Sequence, residues 1–139
     1  MKDFLLYIWQ LPQNLIGLIL IGLTKAKKHT ALFGDQKINY YIANKTRFQW
    51  SGVSLGNYIV FANTKSATNN SIKHEHGHQI QSTWYGLLYL IIIGIPSFCG
   101  NIYDRSYHIG WKTSDRLKWY YSQPWEKQAD QLGGVERYF

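Results

Sequence analysis

Residues 74–78 read His-Glu-His-Gly-His, and the spacing of the outer pair constrains the fold more than any other feature of the chain. Two imidazoles four residues apart serve one metal ion from a helix, where positions i and i+4 share a face with side chains roughly 6 Å apart. Glu75 then sits about 100° around the helix from His74, close enough to reach a water on that ion without binding the ion itself. The segment predicts a helix with two zinc ligands, His74 and His78, and a general base, Glu75. His76 faces away from that stripe and reads as a surface or supporting residue. In a chain with five His the competing account is a solvated, His-rich helix start.

The choice between the two turns on a downstream segment, Pro124-Trp-Glu126-Lys-Gln-Ala129-Asp130. A mononuclear hydrolytic zinc takes a third protein ligand and keeps a fourth position open, and a carboxylate from a second helix is a common choice. Glu126 is the candidate third ligand. Asp130, four residues on and on the same face, is placed to accept from the far ring nitrogen of a ligand histidine and fix its tautomer. Acidic residues in a first helical turn have a plainer explanation in the helix dipole, which the upstream motif weighs against.

His74-Glu75-x-x-His78 followed by Glu126-x-x-Ala129-Asp130 resembles the gluzincin zinc metallopeptidases, and the Glu-x-x-Ala-Asp form is closest to the membrane-bound CAAX-processing and heat-shock-type members. The resemblance covers about a dozen residues. It implies His74, His78 and Glu126 as zinc ligands, Glu75 as general base and acid, Asp130 as a supporting partner, and a peptide or protein as substrate. The extended metzincin pattern asks for Gly at 81 and His at 84, where this chain has Gln81 and Trp84. The membrane-bound enzymes are also larger, with several spanning helices, so neither their substrates nor their topology carries over.

A second theme is apolar. Residues 4–23 contain only Gln10, Gln13 and Asn14 as polar side chains, and as one helix would extend about 30 Å, the thickness of a bilayer's hydrocarbon. Pro12 interrupts that run, and Gln10, Gln13, Asn14 and Gly17 fall on one side at helical spacing. The pattern favours a kinked or in-plane helix, or one packed on protein, over a simple span. A secretory signal fits poorly, because the basic cluster Lys25, Lys27 and Lys28 follows the apolar run and no small-x-small site precedes it. A net charge of +7 suits an anionic membrane or a nucleic acid. With Lys and Arg otherwise dispersed, no nucleic-acid partner is expected. The expected location is membrane-associated with the catalytic part cytoplasmic, the alternative being a soluble cytoplasmic protein with residues 4–23 as a core helix. A second apolar run, 86–98, is too short to cross a bilayer and reads as a buried or interfacial element.

The fold class expected is α+β: a small zincin-like domain at 29–139, preceded at 1–28 by an apolar helix with a basic flank that is a candidate membrane anchor. Lys37–Ala43, Thr46–Trp50 and Asn57–Ala62 read as strands of a short antiparallel sheet, whose last strand leads towards the zinc helix and offers an edge for an extended peptide. Residues 100–115 read as a polar loop, and the helix carrying Glu126 should run from about Ser122 to Gly133-Gly134 with Pro124 in its first turn. At 45% hydrophobic residues the chain supports one core without staples. Cys99, the single cysteine, reads as a small buried hydrophobe. The expected activity is zinc-dependent peptide-bond hydrolysis by a metal-bound water that Glu75 activates, with His108, Tyr120 or Tyr121 as candidate oxyanion donors. Two other accounts stay open: a non-catalytic zinc-stabilised fold, and a basic membrane-associated binding protein that holds no zinc.

Overall fold

The computed structural model describes residues 1–44 and 50–139 and has an α+β architecture. The apolar N-terminus forms two helices, α1 (Lys2–Trp9) and α2 (Leu11–Thr24), which meet at an angle of 83°. Pro12 explains the break: it fits the first turn of α2, where no backbone N–H is required, and not the middle of one continuous helix. Lys25 closes α2 in the left-handed conformation with φ 50°, and the chain enters the sheet at once.

β1 (Lys27–Phe33) and β2 (Gln36–Ile42) form an antiparallel hairpin whose two-residue turn is made by Gly34 at φ 60° and Asp35. β3 (Gly52–Leu55) and β4 (Tyr58–Phe61) form a second hairpin around Gly56 and Asn57. The sheet order is β1-β2-β4-β3, with β2 and β4 parallel in the register Tyr41↔Val60 and Ile42↔Phe61. The sheet is therefore mixed and not antiparallel as expected. The two hairpins are local, but their edge-to-edge docking is set by burial of Ile38, Ile59 and Phe61 beneath the next helix, which local alternation does not encode. β1 was not expected, because its outward Lys27, Lys28, His29 and Thr30 look like a solvated flank. The division at residue 28 falls inside this strand. The strand expected at Thr46–Trp50 lies outside the described residues except for Trp50, which precedes β3.

α3 (Asn69–Tyr85) starts at Thr68, whose side chain accepts from the Ser71 N–H at 3.2 Å. It packs across β3 and β4, with Ile72 completing the core cluster. Past Gly86 at φ 51° come a 3-10 turn (Gly86–Leu88), a π-helical turn (Leu90–Gly94) and α4 (Ile95–Tyr107). The chain thereby bends by 120°. Residues 100–107 are helical and not a polar loop: Asp104 anchors this end of α4 through Arg116 Nη2 at 2.7 Å and His108 Nδ1 at 3.0 Å. Cys99 on α4 is exposed, contrary to the buried position expected. α5 (Thr113–Ser122) and α6 (Pro124–Gly133) complete the chain, and α6 has the expected first-turn Pro124 and a left-handed Gly134 cap at φ 70°.

Candidate metal centre

α3 and α6 lie backbone against backbone, and two glycines make this approach feasible. A Cβ at Gly77 would overlap the carbonyl group of Ala129, and one at Gly133 would overlap the carbonyl of Lys73. Such contact leaves no space for intervening side chains, so residues one turn along each helix face one another directly. His74 and His78 on α3 and Glu126 on α6 converge in this way.

His74 Nε2 lies 3.0 Å and His78 Nε2 3.2 Å from the same oxygen, Glu126 Oε2, and one donor atom from each of the three residues falls within 4.8 Å of the others. Tetrahedral zinc with bonds of about 2.0–2.1 Å places its donors about 3.3 Å apart, close to the two separations that end on Glu126 Oε2. Among the described residues this is the one such His, Cys, Asp and Glu group.

The outer nitrogens of both rings are engaged, which orients Nε2 toward the centre. His74 Nδ1 donates to Asp130 Oδ1 at 2.7 Å, and Asp130 is held by Arg137, whose Nη2 is 2.8 Å from the same oxygen. The Arg137 guanidinium in turn covers the ring of Tyr121, 3.2 Å from its centroid, and Tyr121 meets His74 edge-on. His78 Nδ1 donates to Gln81 Oε1 at 2.7 Å. Gln81 Nε2 donates to the Trp125 carbonyl and to Gln128 Oε1, both at 2.9 Å, which determines which way its amide faces. Glu126 Oε1 accepts from Ser97 Oγ on α4, and Ser97 Oγ lies 3.2 Å from the Tyr120 hydroxyl. Each ligand therefore has a supporting partner, the arrangement that metal sites need for orientation.

The electrostatics suit a cation. Burial lowers the affinity of His74 for a proton, but its hydrogen bonds to Asp130 and Glu126 outweigh that and raise its pKa to about 9. Burial likewise favours a neutral Glu126, yet the bonds from His74 and His78 hold its carboxyl well below the usual range. Without metal, a proton on His74 supplies the positive charge this pocket favours, and a metal ion would displace it. Glu75 is buried with its carboxylate toward β3: a Cβ at Gly52 would collide with the Phe61 ring and lie 3.2 Å from Glu75 Oε1. Burial raises the Glu75 pKa, with His74 and His78 pulling the other way.

The remaining expected residues separate. His108 belongs to another cluster, bonded to Asp104 and stacked on Trp111 at 3.8 Å, and Trp119 meets it edge-on at 4.6 Å. It faces no ligand of the metal group. Tyr120 reaches Glu126 through Ser97, and burial drives its phenol pKa well up. Burial likewise pushes Tyr121 up to about 12. His76 points to Gln36 and Gln79, at 2.8 and 3.0 Å.

Sequence reasoning missed Gln81, Ser97, Arg137 and the role of Gly77. Gln81 was within reach, three residues past His78 on one helical face. Ser97 and Arg137 arrive from elements whose placement no local pattern indicates. No protein-family model matches the chain, and comparison with curated proteins and with solved structures finds no match.

Proposed function

We propose that this chain is a zinc-dependent peptidase of the gluzincin type. The observation that carries the proposal is the convergence of His74, His78 and Glu126 beside a buried carboxylate, Glu75, that is not one of the three. Two imidazoles and a carboxylate suit zinc better than magnesium or calcium, which prefer more oxygen donors. When bound, zinc supplies a Lewis acid that acidifies water and polarises a carbonyl.

The chain's own residues perform the rest. Glu75 accepts a proton from the attacking water at its carboxylate and delivers it to the departing amine, and its raised pKa suits both halves of that task. Asp130 and Gln81 hold the two imidazoles with Nε2 inward, while Ser97 holds Glu126 so that Oε2 faces both rings. Tyr120 steadies Ser97 and thereby Glu126, a positioning role. Gly52 brings the backbone of β3 beside Glu75, which supports an extended peptide as substrate.

The test compares zinc-loaded wild type with Glu75→Gln on a mixture of internally quenched peptides, with zinc content measured in the same samples. The proposal expects one zinc per chain in both proteins and a loss of hydrolysis of at least a hundredfold in the variant. One zinc per chain with no hydrolysis dependent on Glu75 would leave a zinc-stabilised, non-catalytic fold instead.

A further inference from the structure

Two segments of this protein present large apolar side chains outward, unlike a domain that meets only water. In α2 the three buried residues are Gln13, Asn14 and Gly17, while Leu15, Ile16, Leu18 and Ile19 are exposed, Ile19 by 60%. The inward polar stripe is fixed by contacts. Gln13 Nε2 donates to Ser82 Oγ at 3.0 Å and to the Gly86 carbonyl at 2.9 Å, Asn14 Oδ1 accepts from the Asn57 N–H at 2.8 Å, and Gly17 lies against Tyr58. Rotating α2 to hide its leucines and isoleucines would strand these groups. The second segment is apolar on both sides: Tyr89 and Ile93 turn inward, yet Leu87, Leu88, Ile91, Ile92 and Phe98 face outward, and the one buried residue of α4 is Asp104. Trp9 joins the two surfaces, donating to the Thr83 carbonyl and lying against Gly86.

Apolar surface of this extent marks an interaction face, and its charge pattern says what covers it. No Asp, Glu, Lys or Arg occurs from Phe4 to Thr24 or from Thr83 to Tyr103. Cations then follow each stretch: Lys25, Lys27 and Lys28 are exposed after α2, and Arg105 is exposed near the end of α4. An uncharged face bordered by lysines and aromatic side chains is complementary to hydrocarbon beneath anionic headgroups. The geometry also limits the depth. Fourteen residues give α2 a length of about 21 Å against the roughly 30 Å of bilayer hydrocarbon, and the two segments bend by 83° and 120°.

We propose that α1, α2 and the Gly86–Tyr107 segment form one face that seats the chain in a single leaflet of an anionic bilayer, without crossing it. This surface stands independently of zinc binding, since none of its outward side chains belongs to the metal group.

The experiment is flotation of the purified full chain with phosphatidylcholine vesicles and with vesicles containing one quarter phosphatidylglycerol. The wild type should float with the anionic vesicles at least tenfold more strongly than with the neutral ones. Ile19→Asp and Ile91→Asp, each judged folded by an unchanged thermal transition, should each reduce flotation at least tenfold. Leu32→Asp, on an equally exposed apolar residue of β1, should leave it unchanged. The proposal is overturned if the wild type stays in the aqueous fraction with both vesicle types, or if Ile19→Asp and Ile91→Asp float like wild type. It is equally overturned if sedimentation shows a stable dimer that buries this face and excludes vesicles.

Discussion

Gly77→Ala adds one methyl group at the point where α3 and α6 touch, and its effect can be worked from the packing. The new Cβ would overlap the carbonyl carbon and oxygen of Ala129, so α6 must retreat by about 1.3–1.5 Å to restore van der Waals distance. Ala129 is three residues from Glu126 on one face of α6, so the carboxylate moves with it. Separations of 3.0 and 3.2 Å between Glu126 Oε2 and the two Nε2 atoms would grow to about 4 Å or more, beyond the roughly 3.3 Å edge of a zinc tetrahedron. Overpacking of this kind costs about 1–3 kcal/mol, whereas alanine in a helix interior gains about 1 kcal/mol over glycine. The expected net is a loss of up to about 2 kcal/mol in denaturant titration of the metal-free protein. Zinc affinity, measured by competition with a chelator of known strength, should fall at least tenfold, since about 1.4 kcal/mol of misplacement suffices. Gly22→Ala in α2, where nothing lies within 4 Å, is the control and should be neutral or slightly stabilising. A Gly77→Ala protein as stable as wild type with unchanged zinc affinity would refute the backbone contact and the ligand geometry built on it.

Two further outcomes follow from the groups around the ligands. Asp130→Asn removes the charge that holds His74 Nδ1–H and leaves Arg137 without its partner, so zinc affinity should drop about 10–100-fold in the same competition assay while the circular dichroism spectrum is kept. In the metal-free protein, the His74 pKa raised from 6.5 to about 9 stabilises the fold fully below pH 6.5 and ceases to do so as pH rises through 9. At about 1.4 kcal/mol per unit, that is a loss of about 3 kcal/mol. Glu126 and Asp130, whose pKa values are depressed, act in the opposite direction and withdraw their support as pH falls below 4.5 and 3.8 respectively. These are the same contacts viewed from both partners and count once. Denaturant midpoints of chelator-treated protein should therefore peak near pH 5–6 and fall by pH 9, and zinc should restore them.

What was legible in the sequence was what depends on helical spacing. The four-residue interval of His74 and His78, the matching interval of Glu126 and Asp130, and the Pro124 and Gly134 bounds of α6 all follow from one periodicity and from capping chemistry. The stripe of Gln10, Gln13, Asn14 and Gly17 was visible for the same reason, and burial of all but one of its members within α2 itself agrees with packing on protein. Gln10, the remaining member, is buried at the hinge before α2. Legibility ended where a partner came from far along the chain. The parallel pairing of β2 with β4 depends on docking two hairpins, and β1 carries polar residues on exposed positions that resemble a flank. Ser97 reaches Glu126 only because the chain turns by 120° after α3, and His108 sits in a separate cluster with Asp104, Trp111 and Trp119, which its position between the two metal motifs did not indicate.

The central claim is that His74, His78 and Glu126 share one zinc ion with a fourth position left open. Zinc-edge X-ray absorption of the zinc-loaded protein, beside Glu126→Ala, measures this directly. The expected spectrum has two imidazoles and light oxygen scatterers at about 2.0–2.1 Å, with no sulfur near 2.3 Å, and Glu126→Ala should lose the ion or exchange its carboxylate for solvent. A spectrum with a sulfur ligand, with fewer than two imidazoles, or unchanged in both shape and zinc content by Glu126→Ala would contradict it.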